Sequence, residues 1–170
     1  MSNIKKKEQI KKITLAAILA ALTTVMTAYV FHIPVPATGG YIHFGDSIIY
    51  LAACLLPKPY AMAVGAIGGG LADLLTAPMW TLPTVVIKML ITIPFTSKAK
   101  KIITPRNVIV TLVSFLISAI GYFLAESLIF GFEVAFFTSL AGSAVQSIGS
   151  AIAFVIFGLA LDKINIKNRF

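Results

Sequence analysis

The 170-residue chain is 58% hydrophobic and only 12% charged, and it carries a formal net charge of +8. Soluble domains are about half apolar and about a quarter charged, so this composition excludes an ordinary soluble domain and indicates a membrane protein. At about 20 residues per spanning helix, the length allows five or six spans and leaves no room for a second, soluble domain.

Six apolar segments follow one another, and we expect six transmembrane helices in a single all-α membrane domain covering residues 1–170. Their approximate ranges are 13–31, 44–56, 60–77, 83–97, 107–130 and 135–161. The second and fourth segments are too short to cross a bilayer upright, so we expect them to begin below the outer surface. Pro83 suits the first turn of the fourth helix.

The basic residues cluster in the polar segments that flank the apolar ones. If the N-terminus is cytoplasmic and all six segments cross, Lys58, the 98–106 cluster and the C-terminal cluster also fall on the cytoplasmic side. The three opposite loops, about 32–43, 78–82 and 131–134, contain no Lys or Arg. By the positive-inside rule this pattern predicts that both termini are cytoplasmic, and it argues against a nucleic-acid-binding patch.

Four ionisable residues fall within the predicted spans: Asp46, Asp73, Lys88 and Glu126. Charged side chains inside a membrane are costly and usually face the interior of the bundle, which makes all four candidates for function. Each lies in the half of its helix nearest the predicted outer loops. Nothing comparable lies in the inner half.

Small or polar residues recur at every fourth position in four of the segments, and residues four apart share a helix face. The rows are Ala61, Gly65, Gly69 and Asp73; Thr84, Lys88 and Thr92; Ser118, Tyr122 and Glu126; and Gly142, Gln146 and Ser150. Small residues let membrane helices pack closely, so these rows face other helices. We expect them to converge on one outward-facing pocket, with Tyr41, His43 and Trp80 in the loops above it.

Several of these residues also have a plain structural interpretation. Asp46 can cap the second helix, Lys88 can neutralise Asp46 or Asp73 inside the bundle, and Glu126 can be an interfacial charge. Aromatic residues such as Trp80 are common at membrane interfaces without any ligand.

The first helix carries two rows of alanine, one formed by Ala16 and Ala20 and the other by Ala17 and Ala21. Such rows permit close helix contact in a membrane. They fit internal packing, and they also fit a docking surface for another membrane subunit.

Several motifs of soluble chemistry are missing. The stretch "GAIGGGLAD" at 65–73 lacks the lysine of a phosphate-binding loop, so we expect no ATP hydrolysis by this chain alone. It has no HExxH or CxxC, and two histidines are too few for a rich metal site. We therefore expect no catalytic residues, no metal and no cofactor.

The stretch "TGGYIHFGDSIIYLAACLLPKPYAMAVGAIGGGLADLL", followed by "VIKML", resembles the substrate-binding S components of energy-coupling factor (ECF) vitamin transporters. The resemblance covers about residues 10–162. Its Gly-Tyr-x-x-x-Gly-Asp and Gly-x-x-x-x-Asp elements are typical of the branch that includes riboflavin, pyridoxine and hydroxymethylpyrimidine binders.

The resemblance implies a multi-pass protein of the bacterial cell membrane that binds its vitamin from outside, under a lid formed by loop 32–43. Gly39 and Gly40 would let that lid turn tightly. Ala16, Ala17, Ala20 and Ala21 would dock a transmembrane coupling subunit, and two partner ATPases would use the ATP. The implied substrate-binding residues are Tyr41, His43, Asp46, Asp73, Trp80, Lys88, Tyr122, Glu126 and Gln146.

Three acids against one lysine, with Tyr41, Trp80 and Tyr122 available for stacking, suit a small, hydroxylated and protonatable heteroaromatic ring. A vitamin B6 form ranks first, hydroxymethylpyrimidine second and riboflavin third. Two other classes of function stay open. One is a stand-alone proton-coupled carrier that uses Asp73 and Glu126, and the other is a membrane enzyme that uses the acids as general acid and base.

Overall fold

The structure, a computed structural model, describes residues 3–30, 32–37 and 40–169, and it is predominantly helical. The turn expected at Gly39 and the end of the first predicted segment at Phe31 lie outside the described residues. The elements are α1 (Asn3–Ala28), β1 (Ile33–Val35), β2 (Gly40–Ile42), α2 (Asp46–Leu55), α3 (Lys58–Thr76), a 3-10 turn (Pro78–Trp80), α4 (Thr81–Leu90), α5 (Pro105–Phe130), α6 (Phe132–Lys163) and a second 3-10 turn (Ile166–Arg169).

Two helices differ from the predicted segments. Helix α1 begins at Asn3 rather than near residue 13, because the lysine-rich start consists largely of good helix formers. Helix α4 ends at Leu90 rather than near residue 97. Pro94 lacks a backbone N–H and disfavours helical geometry in the residue before it, so the chain continues as turns.

Strands β1 and β2 form an antiparallel hairpin in which Ile33 pairs with Ile42 and Val35 with Gly40. The sequence pattern predicts a lid loop here but no strands. Each strand has only three residues, and Pro34 interrupts the usual strand pattern, which is tolerated because an edge strand needs fewer N–H donors. The hairpin covers the ends of the helices at what we call the hairpin end.

The outer surface of the helices is apolar. Leu112, Leu116, Ile120 and Leu124 form one exposed row along α5, which suits contact with lipid rather than water. Within the described residues, three helices are long and apolar enough to cross a membrane: Ile4–Ala28, Pro105–Phe130 and Phe132–Lys163. Helices α2 and α4 have ten residues each, or about 15 Å.

Helix α3 lies between α1 and α4, and its glycines make both contacts possible. A Cβ placed on Gly68 would lie 2.6 Å from Cβ of Thr23 in α1, and one on Gly65 would lie 2.3 Å from the backbone oxygen of Lys88 in α4. The hydroxyl group of Thr24 also donates to the Gly68 carbonyl at 3.0 Å. The glycine face of α3 therefore turns inward and takes Asp73, which is 5% exposed, into the bundle.

At the other end, which we call the basic end, the C-terminal segment holds the α4–α5 connection. The Asp162 carboxylate accepts the backbone N–H groups of Ile102 and Ile103 at 2.7 and 2.9 Å. Lys167 donates to the carbonyls of Ser97 and Ala99 at 2.9 and 2.6 Å. Partial burial lowers the pKa of Lys167, and the nearby Cys54 and Asp162 oppose that shift.

Candidate functional site

A pocket of about 70 Å³ lies between the hairpin and the adjoining ends of α3, α4, α5 and α6. Seven of the nine predicted substrate-binding residues line it: Tyr41, His43, Asp73, Trp80, Tyr122, Glu126 and Gln146. Ligand pockets usually measure about 300–1,000 Å³. The pocket is therefore smaller than a typical ligand site.

The hairpin is fastened to α3 through Tyr41. Its hydroxyl group donates a hydrogen bond to the Asp73 carboxylate, and its ring stacks on His32 with centroids 3.9 Å apart. Burial raises the pKa of Tyr41, and the negative charge of Asp73 raises it further. The phenol therefore stays protonated and remains a donor to the carboxylate.

His43 follows β2 and is 4% exposed. Its Nδ1 atom accepts the backbone N–H of Gly45 at 3.0 Å, so the ring carries its proton on Nε2. Burial lowers the pKa of His43 to about 3, and the positive charge of Lys88 contributes to that shift. The imidazole is therefore neutral at physiological pH and adds no positive charge to the pocket.

Asp46 and Lys88 do not line the pocket; both side chains are fully buried beneath it. The Lys88 ammonium lies 2.7 Å from Oδ1 and 2.9 Å from Oδ2 of Asp46, and Gln146 Nε2 donates to Oδ2 at 3.0 Å. The structure thus corrects the placement of two predicted ligands, and it shows Lys88 neutralising Asp46. The described hydrogen bonds of the Asp46 carboxylate run to other helices rather than to a cap of α2.

One wall of the pocket is aromatic. Trp80 meets Tyr122 edge to face with centroids 6.0 Å apart, and Phe130 lies behind it at 6.1 Å. The Tyr122 hydroxyl group is 3.0 Å from Thr84 Oγ1. The Lys88 ammonium lies 5.4 Å from the Tyr122 ring centroid, within reach of a cation–π contact.

The opposite wall is polar, and part of it was not predicted from the sequence. Thr138 and Ser139 of α6 donate to Oε2 of Glu126 at 2.5 and 2.6 Å, and Ser143 lies one turn further along. The sequence does contain a pattern that indicates this wall, because serines recur at positions 139, 143 and 147. This row adjoins the row through Gln146 from which the pocket was predicted.

The charges that face the pocket are therefore negative. Among the described lining residues, Asp73 and Glu126 are acidic and none is Lys or Arg. No group of three or more His, Cys, Asp or Glu side chains that could hold a metal ion occurs within the described residues. The arrangement suits a ligand that donates hydrogen bonds and presents a flat ring.

The two alanine rows of α1 separate in the structure. Ala20 is 7% exposed and its backbone oxygen lies beside Gly68, so this residue packs inside the bundle. Ala16 of the same row is half-buried. Ala17 and Ala21 are exposed and remain accessible to a partner.

A family model described as "ECF-type riboflavin transporter, S component" matches residues 7–163. The chain belongs to this family. That description names a component of a transporter rather than an enzyme, and we refer to the chain below as the S component.

A curated relative comes from Pyrococcus woesei and is described as "Uncharacterized protein in gap 3'region". It is 41% identical to the S component over 63 residues, which cover 37% of this chain and 43% of the relative. The chain thus spans less than half the length of that relative, whose description names no ligand.

The buried ion pair generates a prediction about stability. We expect Lys88→Met to cost about 3–5 kcal/mol in unfolding free energy, because it leaves the Asp46 carboxylate buried without a counter-charge. The double variant Asp46→Asn/Lys88→Met removes both charges and should recover much of that loss. Thermal unfolding of the detergent-purified protein measures both.

Lys98→Met is the matched control, since it removes an exposed lysine at the basic end. It should unfold at the wild-type temperature. If Lys88→Met also did so, the pair would not stabilise the bundle.

Proposed function

We propose that the S component captures a vitamin B6 form (pyridoxine, pyridoxal or pyridoxamine) in the pocket beneath the hairpin, with hydroxymethylpyrimidine as the next substrate and riboflavin as the third. The observation that carries this order is the lining, which has two carboxylates, a neutral His43 and, among the described residues, no Lys or Arg. A pyridine or aminopyrimidine ring can become protonated and donate to carboxylates, whereas the flavin ring is neutral.

Size supports the same order. The pocket of about 70 Å³ must enlarge for any vitamin, and a single ring requires a smaller enlargement than a three-ring flavin does. Trp80 and Tyr122 offer one aromatic wall for stacking. The family description names riboflavin, so riboflavin is the competitor that the experiment must include.

The first test is a ligand survey on detergent-purified protein, by mass spectrometry of co-purified small molecules and then by calorimetric titration. We expect a B6 form to bind without ATP, and Tyr122→Phe, which keeps the ring, to bind within about threefold of wild type. Tighter binding of riboflavin than of any single-ring vitamin would overturn the proposed order. Uptake by the lone chain along a proton gradient would overturn the S-component mechanism and favour a carrier.

We also propose that all six helices cross the bacterial plasma membrane, with both termini in the cytoplasm. The loops at the hairpin end lack Lys and Arg, whereas every Lys and Arg except Lys88 lies towards the basic end. This distribution is typical of an inward-facing basic end. Helices α2 and α4 are short and would cross only part of the bilayer thickness. The hairpin and the 91–104 connection would occupy the rest.

Single-cysteine labelling tests this orientation in a Cys54→Ala background, because Cys54 is the one native cysteine and is fully buried. Ala37→Cys in the hairpin should react with an impermeant thiol reagent in intact cells. Lys101→Cys should react only after permeabilisation. The reverse pattern would overturn the proposed topology.

The third part of the proposal concerns partners. We infer that a transmembrane coupling subunit docks on the exposed Ala17–Ala21 face of α1 and that two partner ATPases hydrolyse the ATP. Small exposed residues on a membrane helix permit close approach of a second helix. The exposure of Ala17 and Ala21 supports this face over the one that contains Ala20.

Ala21→Leu should therefore reduce co-purification with the coupling subunit at least about tenfold, because a larger side chain blocks close helix contact. Vitamin binding by the isolated chain should be unchanged. Ala160→Leu is the control, since Ala160 is an exposed alanine of a different helix, α6. Equal loss in both variants would contradict docking on α1.

A further inference from the structure

We propose that the pocket accepts the free alcohol form of its vitamin and rejects the phosphate monoester, and that Glu126 is a specificity-determining residue for this choice. The inference rests on the proposed function. It concerns which chemical form of the vitamin is bound, for any of the three rings considered.

Among the described residues, no Lys or Arg is placed to bind a phosphate group in the pocket. The chain has 14 Lys and Arg residues, yet none lines the pocket among the described residues. Lys88 comes nearest, but it is fully buried and both of its close contacts are with Asp46. Its charge is thus neutralised below the floor, where a phosphate group cannot reach it.

Three hydroxyl groups in the lining already donate hydrogen bonds to carboxylates. Phosphate sites often use Ser and Thr hydroxyl groups, and Thr138 and Ser139 lie in the lining. Both donate to Oε2 of Glu126 instead. The Tyr41 hydroxyl is likewise engaged by Asp73. These three hydroxyl donors are therefore already paired with carboxylates.

The charge of the ligand also matters. A phosphate monoester carries about −1.5 to −2 charges near neutral pH, and Glu126 is only 7% exposed. Like charges brought together where water is scarce repel strongly. The start of α2 would favour an anion, but Asp46 already occupies that position.

The consequence is a requirement on the chemistry outside the cell. A phosphorylated vitamin must first undergo phosphate monoester hydrolysis, in which water replaces the alkoxide at phosphorus and releases inorganic phosphate and the free alcohol. The S component then binds that alcohol.

Calorimetric titration of the full chain with three matched pairs tests the inference: pyridoxal and its 5′-phosphate, hydroxymethylpyrimidine and its phosphate, and riboflavin and its 5′-phosphate. For whichever alcohol binds, we expect the phosphate ester to bind at least about 100-fold more weakly. Glu126→Gln keeps the shape of the side chain and removes its charge, so it should narrow that ratio at least about tenfold. Asp73→Asn should act in the same direction, and it is the second variant if Glu126→Gln does not fold.

Glu133→Gln is the matched control, since it makes the same change in net charge at an exposed position of α6 outside the pocket. It should leave the ratio unchanged. A phosphate ester that binds wild type within tenfold of its alcohol would overturn the inference while leaving vitamin capture intact. A ratio that persists in both pocket variants would show exclusion by size and overturn the role of Glu126. Failure of all three alcohols to bind would instead overturn the proposed function.

Discussion

The ion pair between Asp46 and Lys88 is the constraint on which the rest of the structure depends. It joins the start of α2 to the last turn of α4, and Gln146 adds α6 through the same carboxylate. Two opposite charges buried without water are stable only when they stay together. The three helices therefore have one relative position at this depth, and the pocket has a fixed floor.

Close backbone packing also fixes the position of α3 against α4 and α1. Gly65 of α3 lies against the backbone oxygen of Lys88, and no larger residue fits there. Gly68 serves the contact with α1 in the same way. The glycines thus bring α3 near enough for Asp73 to face the pocket, where it receives the Tyr41 hydroxyl group from the hairpin.

Much of this arrangement follows from the sequence, because intramembrane charges and small-residue rows report which faces are buried. Those rules placed Asp73, Tyr122 and Glu126 in one pocket. They did not show whether Asp46 and Lys88 face a ligand or pair with each other. A charged residue inside a bundle can do either, and sequence spacing does not distinguish the two. The hairpin was not predicted because strands of three residues leave no periodic pattern. Ser139 was not predicted because two adjoining rows of α6 both carry polar residues.

The clamp at the basic end has a consequence for how the protein responds to its ligand. Asp162 and Lys167 bind amide and carbonyl groups of residues 97–103, and neither side chain lines the pocket. That connection is therefore held by contacts outside the pocket, whereas the hairpin is joined to α3 by the Tyr41–Asp73 hydrogen bond inside it. A ligand that binds Asp73 would therefore compete with the hairpin for the same carboxylate, while the contacts at the basic end would not take part in that competition.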